Sequence, residues 1–112
     1  WFDELARILK PGGAAAITTH GPGSLLFYAQ QGIKPVQRYR EIFAAMLANG
    51  YAFEEVWMQA DDVGNVATEA EWGNSFLAPD VVYSLTADRF DIALYRPRAN
   101  QNNQDLYVLR RR

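Results

Sequence analysis

The first twenty-three residues carry a pattern typical of an amphipathic helix followed by a strand. Apolar side chains recur at three- and four-residue spacing, at Phe2, Leu5, Ile8 and Leu9. The sequence KPGG at 10–13 then suits a tight turn, because proline presets φ and glycine accepts positive φ. Residues 14–19 (AAAITT) are small or apolar on both faces, which predicts a strand covered on both sides. The sequence HGPG at 20–23 ends this strand.

A longer helix is predicted before residue 50. Its apolar residues fall on one face, at Val36, Tyr39, Ile42, Phe43, Met46 and Leu47. Asn49 and Gly50 form a good stop signal for that helix. We predict a shorter helix near 24–31 and another near 79–88.

The end of the chain predicts a β-hairpin. From Phe90 onward, large apolar residues recur at every second position, which predicts a strand. Pro97 is expected to end this strand. Polar residues at 99–103 supply the turn. Leu106–Leu109 is apolar at consecutive positions, which predicts a strand flanked on both sides and covered on both faces. The predicted strands are therefore 14–19, 90–96 and 105–110.

Composition limits the function classes without selecting one. The chain has 112 residues, 49% hydrophobic, enough for one small domain with a core. A net charge of −2 gives no electrostatic case for nucleic acid, and the terminal Arg triplet is more typical of a solvated end than of a nucleic-acid patch. The chain has no cysteine, so disulfides and thiolate metal sites are excluded. We expect a cytoplasmic protein without a membrane span or signal peptide. Because it begins without Met, we also expect a segment of a longer protein.

Three stretches resemble class I S-adenosylmethionine-dependent methyltransferases of the type 11/12-like kind. ELARILKPGGAAAITTHG resembles the segment that joins a helix to the fifth strand of that family's sheet. FDIALYRPRANQNNQDLYVLRRR resembles the family's closing hairpin, in which the last strand runs antiparallel and inserts beside the fifth. WGNSF followed by QDLYVLRR resembles one subset of these enzymes.

The resemblance implies an α/β fold: the carboxyl-terminal part of a Rossmann-like mixed sheet with an inserted helical lid. Residues 1–20 would be the helix, turn and central strand, 21–78 the lid, and 79–112 a helix and the hairpin. The enzyme would transfer a methyl group to a small-molecule acceptor. The family's glycine-rich cofactor loop and its acidic partners are not in this sequence, so S-adenosylmethionine would bind mostly outside the chain, and no cofactor-binding residue is assigned.

Several residues are candidates for chemistry. His20 follows the presumed central strand, where ligands bind in open α/β sheets, and it is either a general base or a structural loop histidine. The proposed acceptor contacts are Trp72, Asn74, Ser75 and Phe76, which alternatively form a plain turn or pack into the core. Asp105 is expected to cap or pair locally rather than to act as a base. Asp61 and Asp62 lack the spacing of a calcium loop, and no metal is expected.

The middle of the chain supports an alternative function. Between Arg40 and Arg89 there is no Lys or Arg but there are nine acids: Glu41, Glu54, Glu55, Asp61, Asp62, Glu69, Glu71, Asp80 and Asp88. This segment is a solvated acidic face, a surface for a cationic substrate or partner, or a site for a divalent ion. The alternative is therefore a non-catalytic α+β binding or oligomerisation module that uses its acidic, aromatic middle segment. We also expect self-association through an exposed sheet edge.

Overall fold

The computed structural model describes residues 1–32, 34–55 and 73–112. Within them the chain is a mixed α/β structure with four helices and two antiparallel sheets. The elements in chain order are α1 (Phe2–Ile8), β1 (Ala14–Thr19), α2 (Pro22–Gln31), α3 (Val36–Asn49), β2 (Tyr51–Glu55), β3 (Gly73–Leu77), α4 (Pro79–Thr86), β4 (Phe90–Asn100) and β5 (Gln104–Arg111). No helix in the described ranges is long and apolar enough to cross a membrane.

The larger sheet has the strand order β1–β5–β4. The last strand, β5, is antiparallel to both neighbours, with Ile17 opposite Tyr107 and Ile92 opposite Leu109. It follows that β1 and β4 run parallel to each other on either side of β5. The predicted strands at 14–19, 90–96 and 105–110 are confirmed, and so is the prediction that the last strand lies antiparallel beside β1.

Pro97 does not end β4, contrary to the sequence prediction. The strand continues to Asn100, and the register with β5 shifts between Arg96 and Asn100. Proline has no N–H to donate to a ladder, and β4 is an edge strand of the described sheet, where such an interruption is tolerated. The irregular stretch frees the backbone N–H of Arg98, which donates to the Asp105 carboxylate instead.

The expectation that β1 is covered on both faces is wrong. Ala15, Ile17 and Thr19 are half-buried, whereas Ala14, Ala16 and Thr18 on the opposite face are exposed. The register continues this face across the sheet to Val108, which is half-buried, and to Leu94, which is exposed. Small or apolar side chains on both faces of a strand therefore do not by themselves indicate that both faces are buried.

Two separate cores hold the described elements. The first packs α1 and α4 on one face of the larger sheet, through Ala6, Val82, Phe90, Tyr107 and Leu109. The second joins α2, α3 and the small sheet, through Leu25, Tyr39, Ile42, Met46, Ala52, Phe76 and Ala78. The predicted insertion at 21–78 thus contributes a core of its own.

An antiparallel pair of strands, β2 and β3, lies within 21–78 and was not predicted from the sequence. In β2, Ala52 and Glu54 are buried while Tyr51 and Phe53 are exposed. The buried positions are thus an alanine and a glutamate, and the exposed ones are aromatic. This inversion hides the period-two pattern of the strand.

α3 ends as predicted but buries a narrower face. Gly50 stops the helix in the left-handed region, at φ 80°, as its stop signal predicted. Tyr39, Ile42 and Met46 are buried, whereas Val36, Phe43 and Leu47 of the same predicted face are exposed. An apolar stripe therefore remains on the surface of α3.

Candidate functional site

His20 lies at the carboxyl end of β1, where the two sheets meet. Its carbonyl oxygen accepts a hydrogen bond of 2.7 Å from the backbone N–H of Leu77, next to a parallel bridge with Phe76. The imidazole ring is 5.9 Å from the ring of Phe76 and 6.2 Å from that of Tyr28, centroid to centroid. Aromatic side chains from α2 and β3 therefore form the environment of the only histidine in the chain.

This environment affects the protonation of His20. Burial lowers the pKa of the imidazole below its ordinary value, and the negative charge of Asp105 only partly opposes that effect. The ring is consequently neutral at pH 7. A neutral imidazole has one nitrogen lone pair available to accept a proton, as a general base requires.

Asp105 is fully buried at the start of β5. Its Oδ2 accepts a hydrogen bond of 2.9 Å from the Tyr95 hydroxyl, and its Oδ1 accepts one of 3.1 Å from the Arg98 N–H. Burial and this hydrogen bond to Asp105 raise the pKa of Tyr95. The expectation of local pairing for Asp105 is therefore confirmed, although both donors belong to the facing strand.

The loop that follows His20 also packs directly on Asp105. A Cβ built on Gly21 would lie 2.9 Å from Cγ of Asp105 and closer still to its Oδ2. A Cβ on Gly23 would lie 2.5 Å from Oδ1. Only glycine allows the first turn of α2 to approach the carboxylate this closely. The carboxylate thus lies at the amino terminus of α2, where the helix dipole favours a negative charge.

Two buried polar atoms beside Asp105 make no hydrogen bond of ordinary geometry among the described residues. They are the hydroxyl of Tyr107, a residue that is almost completely buried, and Oγ1 of Thr19. The Tyr107 ring stacks on that of Tyr95 at 4.8 Å, and burial raises the pKa of Tyr107 to about 12. We call Thr19, His20, Tyr95, Asp105 and Tyr107 the Asp105 cluster. Asp105 and Tyr107 are its buried members, and Thr19 and His20 are half-buried.

The proposed acceptor contacts are placed differently from one another. Phe76 is fully buried in the core of the insertion and contacts the His20 ring. Asn74 is half-buried and Ser75 is exposed, and both lie on β3 opposite β2. Trp72 lies outside the described residues. The structure brings Phe76 to His20, and the roles of all four residues in acceptor binding stay predictions.

The sequence analysis missed most of the Asp105 cluster. Tyr95 and Tyr107 were treated only as strand residues, and Gly21 and Gly23 only as strand-breaking residues. Two glycines flanking a proline just before a helix were an available signal, because such a pattern fits close approach of the backbone to another group. Nothing local indicated that the other group is Asp105.

The acidic middle is neutralised at two positions. The buried Glu54 carboxylate accepts hydrogen bonds from Lys34 and from Arg38, whose Nε lies 2.9 Å from Oε2 of Glu54. Arg38 also forms an ion pair with Glu41, at 3.0 Å. Burial by itself would raise the pKa of Glu54, but the hydrogen bonds from Arg38 and Lys34 outweigh it and leave the pKa lowered. Glu54 is therefore not part of a solvated acidic face, because cations from before residue 40 pair with it in a buried position, whereas Glu41 and its ion pair with Arg38 are exposed. Asp61, Asp62, Glu69 and Glu71 lie outside the described residues.

No group of three or more metal-ligating side chains is found in the described ranges. Comparisons with protein-family models, with curated proteins and with solved structures found no match to this chain. Any proposal about its activity therefore depends on the topology of the sheet and the chemistry around His20.

Proposed function

We propose that this chain forms the carboxyl-terminal part of a class I S-adenosylmethionine-dependent methyltransferase acting on a small-molecule acceptor. The observation that carries the proposal is the position of β5, antiparallel and inserted between the parallel pair β1 and β4. This arrangement agrees with the closing hairpin of that family, in which the last strand inserts beside the fifth. The helix, KPGG turn and strand that precede it agree with the same segment.

The proposal assigns no cofactor-binding residue among the described residues. Gly21 and Gly23 form the glycine-rich turn that follows β1, and both pack against Asp105. The Asp105 carboxylate therefore occupies the Cβ side of both glycines, and a ligand cannot approach them from that side. Under this proposal S-adenosylmethionine supplies the methyl group and is bound by sequence outside this chain.

The contribution of this chain is on the acceptor side. His20 is neutral at pH 7 and lies at the carboxyl end of β1, so it is suited to accept a proton from an acceptor hydroxyl or amine as that group is methylated. Phe76 and Tyr28 pack beside the ring and limit its contact with water. The insertion at 21–78 acts as the acceptor-side lid.

The test uses the polypeptide encoded by the uninterrupted reading frame that contains this chain. We expect stoichiometric binding of S-adenosylmethionine in calorimetry and methyl transfer from the tritiated cofactor to a panel of phenols, amines and carboxylates. His20→Gln should lower kcat by about 10²–10⁴-fold while leaving the dissociation constant of S-adenosylmethionine unchanged. Failure of the full polypeptide to bind the cofactor would overturn the proposal. An unchanged kcat in His20→Gln would remove His20 from the reaction but leave the family assignment intact.

A non-catalytic oligomerisation module is the second candidate. The exposed face of the larger sheet favours it, because Ala14, Ala16 and Thr18 leave β1 uncovered at an edge of the described sheet. The exposed Tyr51 and Phe53 add aromatic surface on β2. Self-association with no cofactor binding by the full polypeptide would favour this candidate over the enzyme.

A further inference from the structure

A groove of about 330 Å³ runs between α2 and α3, on the outer side of the second core. Its lining is almost entirely apolar and includes Leu25, Leu26, Ala29, Val36 and Phe43, with Arg40 as the charged residue. Leu26 is 53% exposed, Val36 64% and Phe43 44%. Folding therefore leaves about half of each of these apolar side chains exposed to solvent.

The groove is preformed by tertiary contacts on its inner side. Leu25 and Tyr39, which form its inner wall, belong to the buried core of the insertion. The Tyr39 hydroxyl accepts a hydrogen bond of 2.9 Å from the backbone N–H of Lys34, which ties α3 to the connection from α2. A volume of 330 Å³ falls at the lower end of the range for small-molecule pockets, about 300–1,000 Å³.

The charge on the groove is unbalanced. Arg40 forms no ion pair among the described residues, whereas its neighbour Arg38 pairs with both Glu41 and Glu54. The described lining contains no acid. In a two-fold pairing through this patch, a second copy would add apolar surface but no acid from the described lining to pair with Arg40. The groove is thus better matched to an apolar molecule that carries an anion.

We propose that this groove binds a small apolar molecule bearing a negatively charged group, such as a medium-chain carboxylate. The apolar chain lies against Leu26, Val36 and Phe43, and the carboxylate pairs with Arg40. This proposal stands independently of methyl transfer, because it requires neither the cofactor nor His20.

The test is a titration of the ¹⁵N-labelled chain with octanoate, below its micellar concentration, followed by amide shifts. We expect saturable shifts at Leu26, Ala29, Val36, Arg40 and Phe43. The neutral probe 1-octanol should bind more weakly. Arg40→Gln should weaken octanoate by about threefold to tenfold and leave octanol unchanged, since it removes the charge and little apolar surface. Arg110→Gln, at another exposed arginine, is the matched charge control and should change neither.

The apolar contact is tested separately. Leu26→Gln should weaken both probes, whereas Leu85→Gln, at a 58% exposed leucine on α4, should weaken neither. The proposal is overturned if octanoate and octanol bind equally in the unmodified chain. It is also overturned if the shifts map to the exposed sheet face around Ala16 and Val108. Groove shifts that depend on protein concentration without ligand would instead assign this surface to a second copy and would equally overturn the proposal.

Discussion

Replacing Gly21 with alanine should destabilise the fold by pushing a methyl group into the Asp105 carboxylate. The new Cβ would lie 2.9 Å from Cγ of Asp105, and its next-nearest neighbour outside that side chain is the Leu77 carbonyl oxygen at 3.4 Å. Gly21 has φ −125°, which alanine adopts without strain, so the cost comes from the contact and not from the backbone. Overpacking of this kind costs about 1–3 kcal/mol. In a domain of this size each kcal/mol lowers Tm by about 4–8 °C.

A double-mutant cycle isolates this contact. Urea unfolding is measured for the unmodified chain, Gly21→Ala, Asp105→Ala and the double variant. Asp105→Ala leaves the Tyr95 hydroxyl and the Arg98 N–H without their acceptor and should cost about 2–6 kcal/mol by itself. It also makes room for the methyl group introduced by Gly21→Ala, so the double variant should be more stable than the sum of the two losses predicts, by at least about 1 kcal/mol.

The cycle also removes the main confounding effect. Gly21 is the N-cap of α2, and alanine is a poorer N-cap residue than glycine. That loss is present with or without Asp105 and cancels in the coupling energy. If the stability losses of Gly21→Ala and Asp105→Ala add up to the loss of the double variant within about 0.5 kcal/mol, the close approach of the α2 loop to Asp105 is refuted. A Gly21→Ala variant as stable as the unmodified chain would refute it equally.

Three further outcomes follow from the charges and the exposed sheet. Glu54→Gln should lower the free energy of unfolding by about 1.5–3 kcal/mol at pH 7, against less than about 0.5 kcal/mol for the exposed Glu41→Gln, and equal urea midpoints for the two variants would contradict the buried pairing. Because the pKa of Glu54 is lowered in the folded state, its contribution to stability is present above the unfolded pKa and is lost as the pH falls through the folded pKa. NMR titration should place the pKa of His20 below 6.5, and lower still in Asp105→Asn, because that variant removes the negative charge that opposes the effect of burial; an ordinary pKa would contradict the burial of the ring. Because the pKa is lowered in the folded state, folding stability should decrease as the pH falls through 6.5, and this decrease should be absent in His20→Gln. Sedimentation should detect self-association at about tens of micromolar, weakened by Ala16→Lys on the exposed face of β1, whereas monomer alone at that concentration would contradict association through the sheet.

The local pattern of the sequence determined most of the secondary structure. The helical spacing of apolar residues located α1, the KPGG turn and the small apolar residues after it located β1, the Asn49–Gly50 stop located the end of α3, and period-two alternation located the closing hairpin. Each of these signals acts within a few residues. The same reasoning placed His20 at the carboxyl end of β1. These features follow from backbone conformational preferences and from side-chain periodicity, which are properties of neighbouring residues.

Only the tertiary structure decided which faces are buried and what surrounds the histidine. The exposure of Val36 and Phe43 depends on where α2 packs against α3, and the buried Glu54 depends on cations that reach it from Lys34 and Arg38. The Asp105 cluster joins the loop after β1 to both strands of the hairpin, and these segments lie far apart in the sequence. A carboxylate can be buried there because a tyrosine, a backbone N–H and a helix terminus meet at one point, and that meeting is a consequence of the whole fold.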